Sequence, residues 1–113
     1  MIRHLVLFRP RAGLSADERA GLAAALRRTI ETIPSIRRAR VGRRVRHGRP
    51  YEQRMRVDYE YVAMLDFDDL SGLKMYLEDP AHEALATRFF AVLEESLIYD
   101  FEFVEGDGLA SLT

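Results

Sequence analysis

Two imidazoles and a phenol stand on stretches whose other residues are apolar: His4 among Ile2, Val6 and Phe8, Tyr76 after Leu70 and Leu73, and His82 ahead of Leu85 and Phe89. Burying such a group without a hydrogen-bond partner costs roughly 1–3 kcal/mol, so each must bond to another side chain, to backbone or to a ligand. Taken singly, each is more often a satisfied core residue than a catalyst. Convergence of the three on one space changes the reading. Histidine exchanges a proton near neutral pH, and tyrosine donates to a developing oxyanion. An apolar hollow holding a few such groups is the usual form of a small-molecule site, and Val6, Phe8, Leu26 and Phe89 would supply its wall. The chain has no cysteine, which removes disulfide frameworks, Cys-ligated zinc, iron–sulfur clusters and thiolate nucleophiles. His4, His47 and His82 show no close ligand spacing, so no metal and no other cofactor is expected.

The elements that must position these groups are marked by local signals. Residues 2–8 alternate as a strand stopped by Arg9-Pro10. Ser15 and Glu18 form a capping box opening a helix whose apolar stripe is Leu22, Leu26, Ile30 and Ile33, closed by Pro34. Residues 36–45 read as a basic edge strand, with Ala39, Val41 and Val45 on one side and Arg38, Arg40 and Arg44 on the other. Residues 47–58 read as a long loop, and residues 59–67 alternate again as a strand. Asp68 or Asp69 caps a short helix; Asp79-Pro80 restarts the chain as another, with proline where its missing amide costs nothing. Residues 97–104 close the domain as a strand, leaving 105–113 as a tail that should fray.

The order βαββαβ predicts an α+β, ferredoxin-like domain over residues 1–104, with a four-stranded antiparallel sheet and both helical segments on one face. The opposite face, expected to carry Leu5, Leu7, Val62, Met64, Ile98 and Val104, would be a large bare apolar patch, and a second copy is its simplest cover. A homodimer with sheets packed face to face is therefore predicted, with arginines of the second strand meeting Asp100 and Glu102. Residues 1–56 carry 15 arginines against four acids, and residues 57–113 two bases against 14 acids. Interleaving of the halves accounts for this split. Nucleic-acid binding through Arg37 to Arg46 is disfavoured, because that strand has no aromatic stacking motif. No apolar run approaches the roughly 18 residues of a membrane span, and the chain reads as cytoplasmic.

Ile2 to Phe8, Ile33-Pro34, the segment Tyr76-Leu77-Glu78-Asp79-Pro80-Ala81-His82 and the closing Ile98-Tyr99-Asp100-Phe101 resemble the stress-responsive dimeric α/β-barrel (Dabb) family over residues 1 to about 104. The resemblance implies a dimeric α/β barrel and, from the cofactor-free polyketide cyclases of that family, roles for three residues. His82 would be the general base for an intramolecular aldol closure, Tyr76 would assist it, and His4 would fix a substrate carbonyl. Leu26 stands where such a cyclase has a further pocket tyrosine, and Asp79 where it has a histidine. Two other functions remain open on these residues: a non-catalytic dimer that binds a small hydrophobic molecule, and a cofactor-free monooxygenase acting on a phenolic ligand.

Overall fold

Alternating apolar residues make β1 (Ile2–Pro10) the spine of the sheet, paired antiparallel on one side with β3 (Tyr61–Phe67) and on the other with β4 (Leu93–Glu102). The computed structural model spans residues 1–113, and in it β2 (Arg38–Arg43) completes the order β2-β3-β1-β4, the antiparallel ferredoxin-like sheet. The helices are α1 (Ala16–Thr32), α2 (Leu70–Glu78), α3 (Pro80–Val92) and a short α4 (Leu109–Leu112). Each of the first three starts on the residue whose side chain suits the task. Ser15 and Glu18 form the reciprocal capping box, Asp69 accepts from the Gly72 amide at 2.9 Å, and Asp79 accepts from the Ala81 amide at 2.8 Å.

Several boundaries differ from the sequence reading. β2 is shorter, the segment after it contains a 3-10 turn (Pro50–Arg54), and β4 begins at Leu93, directly after α3 and with no loop between them. The tail turns at Gly106–Gly108 and ends in α4 rather than fraying from Gly106. In α1 the inward stripe passes through Thr29, which is fully buried, and leaves Ile30 exposed. Thr29 fits the interior because its hydroxyl donates to the Ala25 carbonyl at 2.8 Å, one helical turn back.

The larger correction concerns the faces of β4. Directly opposed residues in a sheet share a face. His4 lies opposite Leu65 and Asp100, and Val6 opposite Ala63 and Ile98, so Ile98, Asp100 and Glu102 face the helices. The outer face carries Leu97, Tyr99 and Phe101 beside Leu5, Leu7, Val62 and Met64. Asp100 and Glu102 therefore do not point out to meet the arginines of β2. On that outer face Arg3 forks onto Asp66, with Nε–Oδ1 2.6 Å and Nη2–Oδ2 2.9 Å, and its guanidinium lies 4.9 Å from the Phe103 ring centre. The pair holds the Asp66 carboxyl below the ordinary carboxylate range.

The densest packing lies at one end of the layer between sheet and helices. Ile33, Leu65, Phe67, Leu73 and Tyr76 form a closed cluster there. α1 packs on α3 above the rest of the sheet. Between them the filling is incomplete, and a cavity remains.

Candidate functional site

The three polar rings singled out from the sequence stand in a row on the wall of this cavity. His4 comes from the central strand, Tyr76 from the last turn of α2, and His82 from the first turn of α3. The α2–α3 break is what brings the last two together: Asp79 is at once the C-cap of α2 and the N-cap of α3, so the chain turns sharply between them. Tyr76 and His82 rings are 4.5 Å apart between centroids, and His4 and Tyr76 rings 5.5 Å. Phe67 supports Tyr76 from the packed side at 5.4 Å.

The cavity measures about 290 Å³. Val6, Phe8, Leu26 and Phe89 all line it, as do His4, Tyr76 and His82, so every residue named as a candidate in the sequence borders one space. Leu26 forms part of the wall and does not fill the hollow. Val41, on the edge strand, also lines the cavity yet is 67% exposed, which places an opening on that side. A chain of stacked and edge-on rings, Tyr61, Phe8 and Phe89, lies toward the end away from the histidines, and Phe8 and Phe89 border the cavity there.

One residue of the site, Asp100, is expected from the sequence at the dimer face and is found instead beside His4. Asp100 Oδ1 is 2.6 Å from His4 Nδ1. In a neutral imidazole this carboxylate holds the proton on Nδ1, leaving the Nε2 lone pair free to act elsewhere. The available signal was cross-strand register: once β4 pairs with β1, position 100 falls opposite position 4.

Environment sets His82 and Tyr76 to different tasks. Burial holds the His82 imidazole below its ordinary value; His4 adds to that lowering, while the Leu77 backbone carbonyl, Glu83 and Asp79 oppose it. His82 is accordingly neutral, and a proton acceptor, at pH 7. Burial also pushes the Tyr76 hydroxyl far above the usual phenol range, and the charge of Asp100 adds to the effect. Tyr76 therefore stays a donor. Its ring is 98% buried, since only 2% remains accessible, and no protein group bonds its hydroxyl. Such a group at the edge of a cavity calls for a ligand or a water. Nowhere do three His, Asp or Glu side chains gather to hold a metal ion. His47 lies in the surface segment after β2, where Tyr51 Oη is 2.6 Å from its Nε2.

A four-stranded ferredoxin-like sheet, helices on one face and a cavity between them define the class of ferredoxin-like α+β domains. The chain belongs to the Dabb family, the stress responsive A/B barrel domain, whose model matches residues 2–103. An uncharacterized protein of Streptomyces coelicolor, SCO4036, is 33% identical over 108 residues, covering 91% of this chain and all of that one. Among solved structures, the hydroxynitrile lyase of Passiflora edulis superposes with a TM-score of 0.76 at 18% identity, covering 92% of this chain and 94% of that one. A dimeric ferredoxin-like protein from Thermobifida fusca superposes with a TM-score of 0.69 at 22% identity, covering 90% of each. At these identities the structural likeness establishes the fold.

Proposed function

We propose that the protein is a homodimeric enzyme that uses His82 as general base and Tyr76 as hydrogen-bond donor on a small hydrophobic carbonyl compound, in the manner of a cofactor-free polyketide cyclase. The observation that carries this reading is the pairing of a neutral imidazole with a protonated phenol, 4.5 Å apart between ring centres, on the wall of one apolar cavity. His82 removes a proton from a carbon between two carbonyls, and the enolate oxygen accepts a hydrogen bond from Tyr76. The enolate carbon then attacks a carbonyl further along the same molecule, forming the ring bond, the new alkoxide takes back the proton from His82, and loss of that hydroxyl as water followed by enolisation of the remaining ring carbonyls gives the aromatic ring. His4, whose Nδ1 proton is held by Asp100, accepts at Nε2 a hydrogen bond from the enol hydroxyl of the substrate's β-dicarbonyl unit. Catalysis within the wider fold supports the reading: the Passiflora neighbour is a lyase.

The outer sheet face supports the second copy. Leu97, Tyr99 and Phe101 are each more than a third exposed in the single chain, beside Leu5 and Leu7. Covering such a patch is favourable by about 25 cal/mol per Å² of apolar surface, and the Thermobifida neighbour is described as dimeric. Light scattering at micromolar concentration is expected to give the mass of two chains; the mass of one chain would contradict the assembly.

The catalytic reading is tested with an alkyl tetra-β-ketide N-acetylcysteamine thioester, followed by the ultraviolet absorbance of the aromatic product. Turnover is expected, with its acidic limb governed by His82. Because the folded-state value lies below 6.5, the base form persists as pH falls through 6.5, and the rate should decline only below that point. A limb centred at or above 6.5 assigns the base to another group. Calorimetric binding of the thioester without consumption would make the protein a carrier.

A further inference from the structure

The helix-facing side of the edge strand reads Ala39, Val41 and Arg43, two apolar residues followed by one guanidinium. Arg38 and Arg40 alternate onto the outer face, opposite Asp66 and Met64. Arg43 does not: it lies opposite Tyr61, which lies opposite Phe8, so the three share one row on the cavity side. Phe8 borders the cavity and its ring stacks on Tyr61 at 5.6 Å, so the row starts at the cavity wall and runs out past Tyr61 to the exposed Arg43. Phe8 and Val41 both border the cavity, and Val41 is the wall residue most open to solvent.

Arg43 is also unclaimed. Its neighbours Arg44 and Arg46 are both held by Asp58, whereas no carboxylate or carbonyl engages the Arg43 side chain. A free guanidinium beside an apolar opening recognises an anion presented by a molecule whose remainder is buried, since arginine matches carboxylate and phosphate in two-point geometry. The distance sets the ligand's length. His4 and Phe8 are four residues apart on β1, about 13 Å at the rise of a strand.

We propose that the cavity takes an amphiphilic carbonyl compound with an anionic group at the far end from its reactive carbonyl, and that Arg43 at the rim binds the anion while the carbonyl lies at Tyr76 and His82. This specificity rests on the function proposed above. The anion is either a carboxylate on the substrate itself or a phosphate on its carrier, and both present oxygens to the same fork.

Isothermal titration of the full-length protein with ω-oxo-ω-phenyldecanoate and with its methyl ester separates the contributions. The acid is expected to bind about five-fold tighter than the ester, the scale of a solvent-accessible charge-assisted pair, and added salt should erode only the acid's affinity. Arg43→Gln should remove the preference without changing ester binding, and Arg43→Lys should retain part of it. Tyr76→Phe should weaken both ligands alike. A short-chain phosphopantetheine thioester in the same titration distinguishes a carrier phosphate from a substrate carboxylate, according to which loses more affinity in Arg43→Gln. Equal binding of acid and ester to the unaltered protein, or a preference that survives Arg43→Gln, overturns the assignment of Arg43. Ester binding in that case leaves the catalytic reading intact, whereas failure of both ligands to bind removes both. Arg43 is exposed, so its variants are expected to melt with the parent protein.

Discussion

Replacing His82 with alanine is expected to lower the cyclisation rate by about 10² to 10⁴-fold, the usual contribution of a positioned general base, while the protein remains folded. The imidazole is half-buried, with its edge on Tyr76 and its other side on the cavity. Removing it enlarges a space that is already open rather than creating a void in closed packing. The stability cost is therefore about 1 kcal/mol, a fall of roughly 4–8 °C in melting temperature for a domain of this size. Tyr76→Phe provides the complementary test. The ring is buried while its hydroxyl meets the cavity without a protein partner, so deleting the oxygen should leave stability nearly unchanged. The rate should fall by about 10² to 10³-fold if the hydroxyl stabilises the enolate oxygen. Rates from product absorbance and melting curves from circular dichroism make the comparison. Stability falling together with activity in both variants would mark the rings as structural.

The split between activity and stability follows from what local sequence can and cannot encode. Caps are local: Ser15, Asp69 and Asp79 each bond an amide two or three residues away, so all three helix starts can be read from the chain. Alternation along a strand is local too. Which alternate set faces the helices is not, because pairing partners such as His4 and Asp100 are 96 residues apart. Apolarity points the wrong way for β4. Leu97, Tyr99, Phe101 and Phe103 are the more hydrophobic set, yet they face outward, where a second copy can cover them. The set beneath the helices includes Asp100, whose carboxylate is paired there with His4. The same conflict appears in α1, where Thr29 occupies the inward position that Ile30 would claim on apolarity alone. Pattern ranks faces by hydrophobicity. A functional site inverts the ranking by placing polar groups inside, and an interface inverts it again by placing apolar groups outside.

The largest stability effect is expected not at the cavity but beside it, at Phe67. Its side chain is fully inaccessible and packs against Ile33, Leu65, Leu73 and Tyr76. The backbone of α2 lies against it as well, since a methyl group added at Gly72 would fall in ordinary van der Waals contact with Phe67 Cβ, at 3.5 Å. Neighbours held this closely on several sides cannot collapse into the space a phenyl leaves. Phe67→Ala should therefore cost about 3–5 kcal/mol, transfer and cavity contributions together. Domains of this kind have a total stability of about 5–15 kcal/mol, so the loss should move the urea midpoint sharply at nearly constant slope. Phe90→Ala is the control. Phe90 borders the cavity but is 58% exposed, so its loss should cost under about 1 kcal/mol. Both measurements belong at one protein concentration, because a dimer adds a mass-action contribution to apparent stability. Equal, small effects at the two positions would mean that the end of the barrel behind Tyr76 is as loosely filled as the cavity. In that case the support that aims the phenol at His82 would be absent. A large effect at Phe67 alone locates the rigid wall on which the donor and the base are held, with the open space on their other side left for substrate.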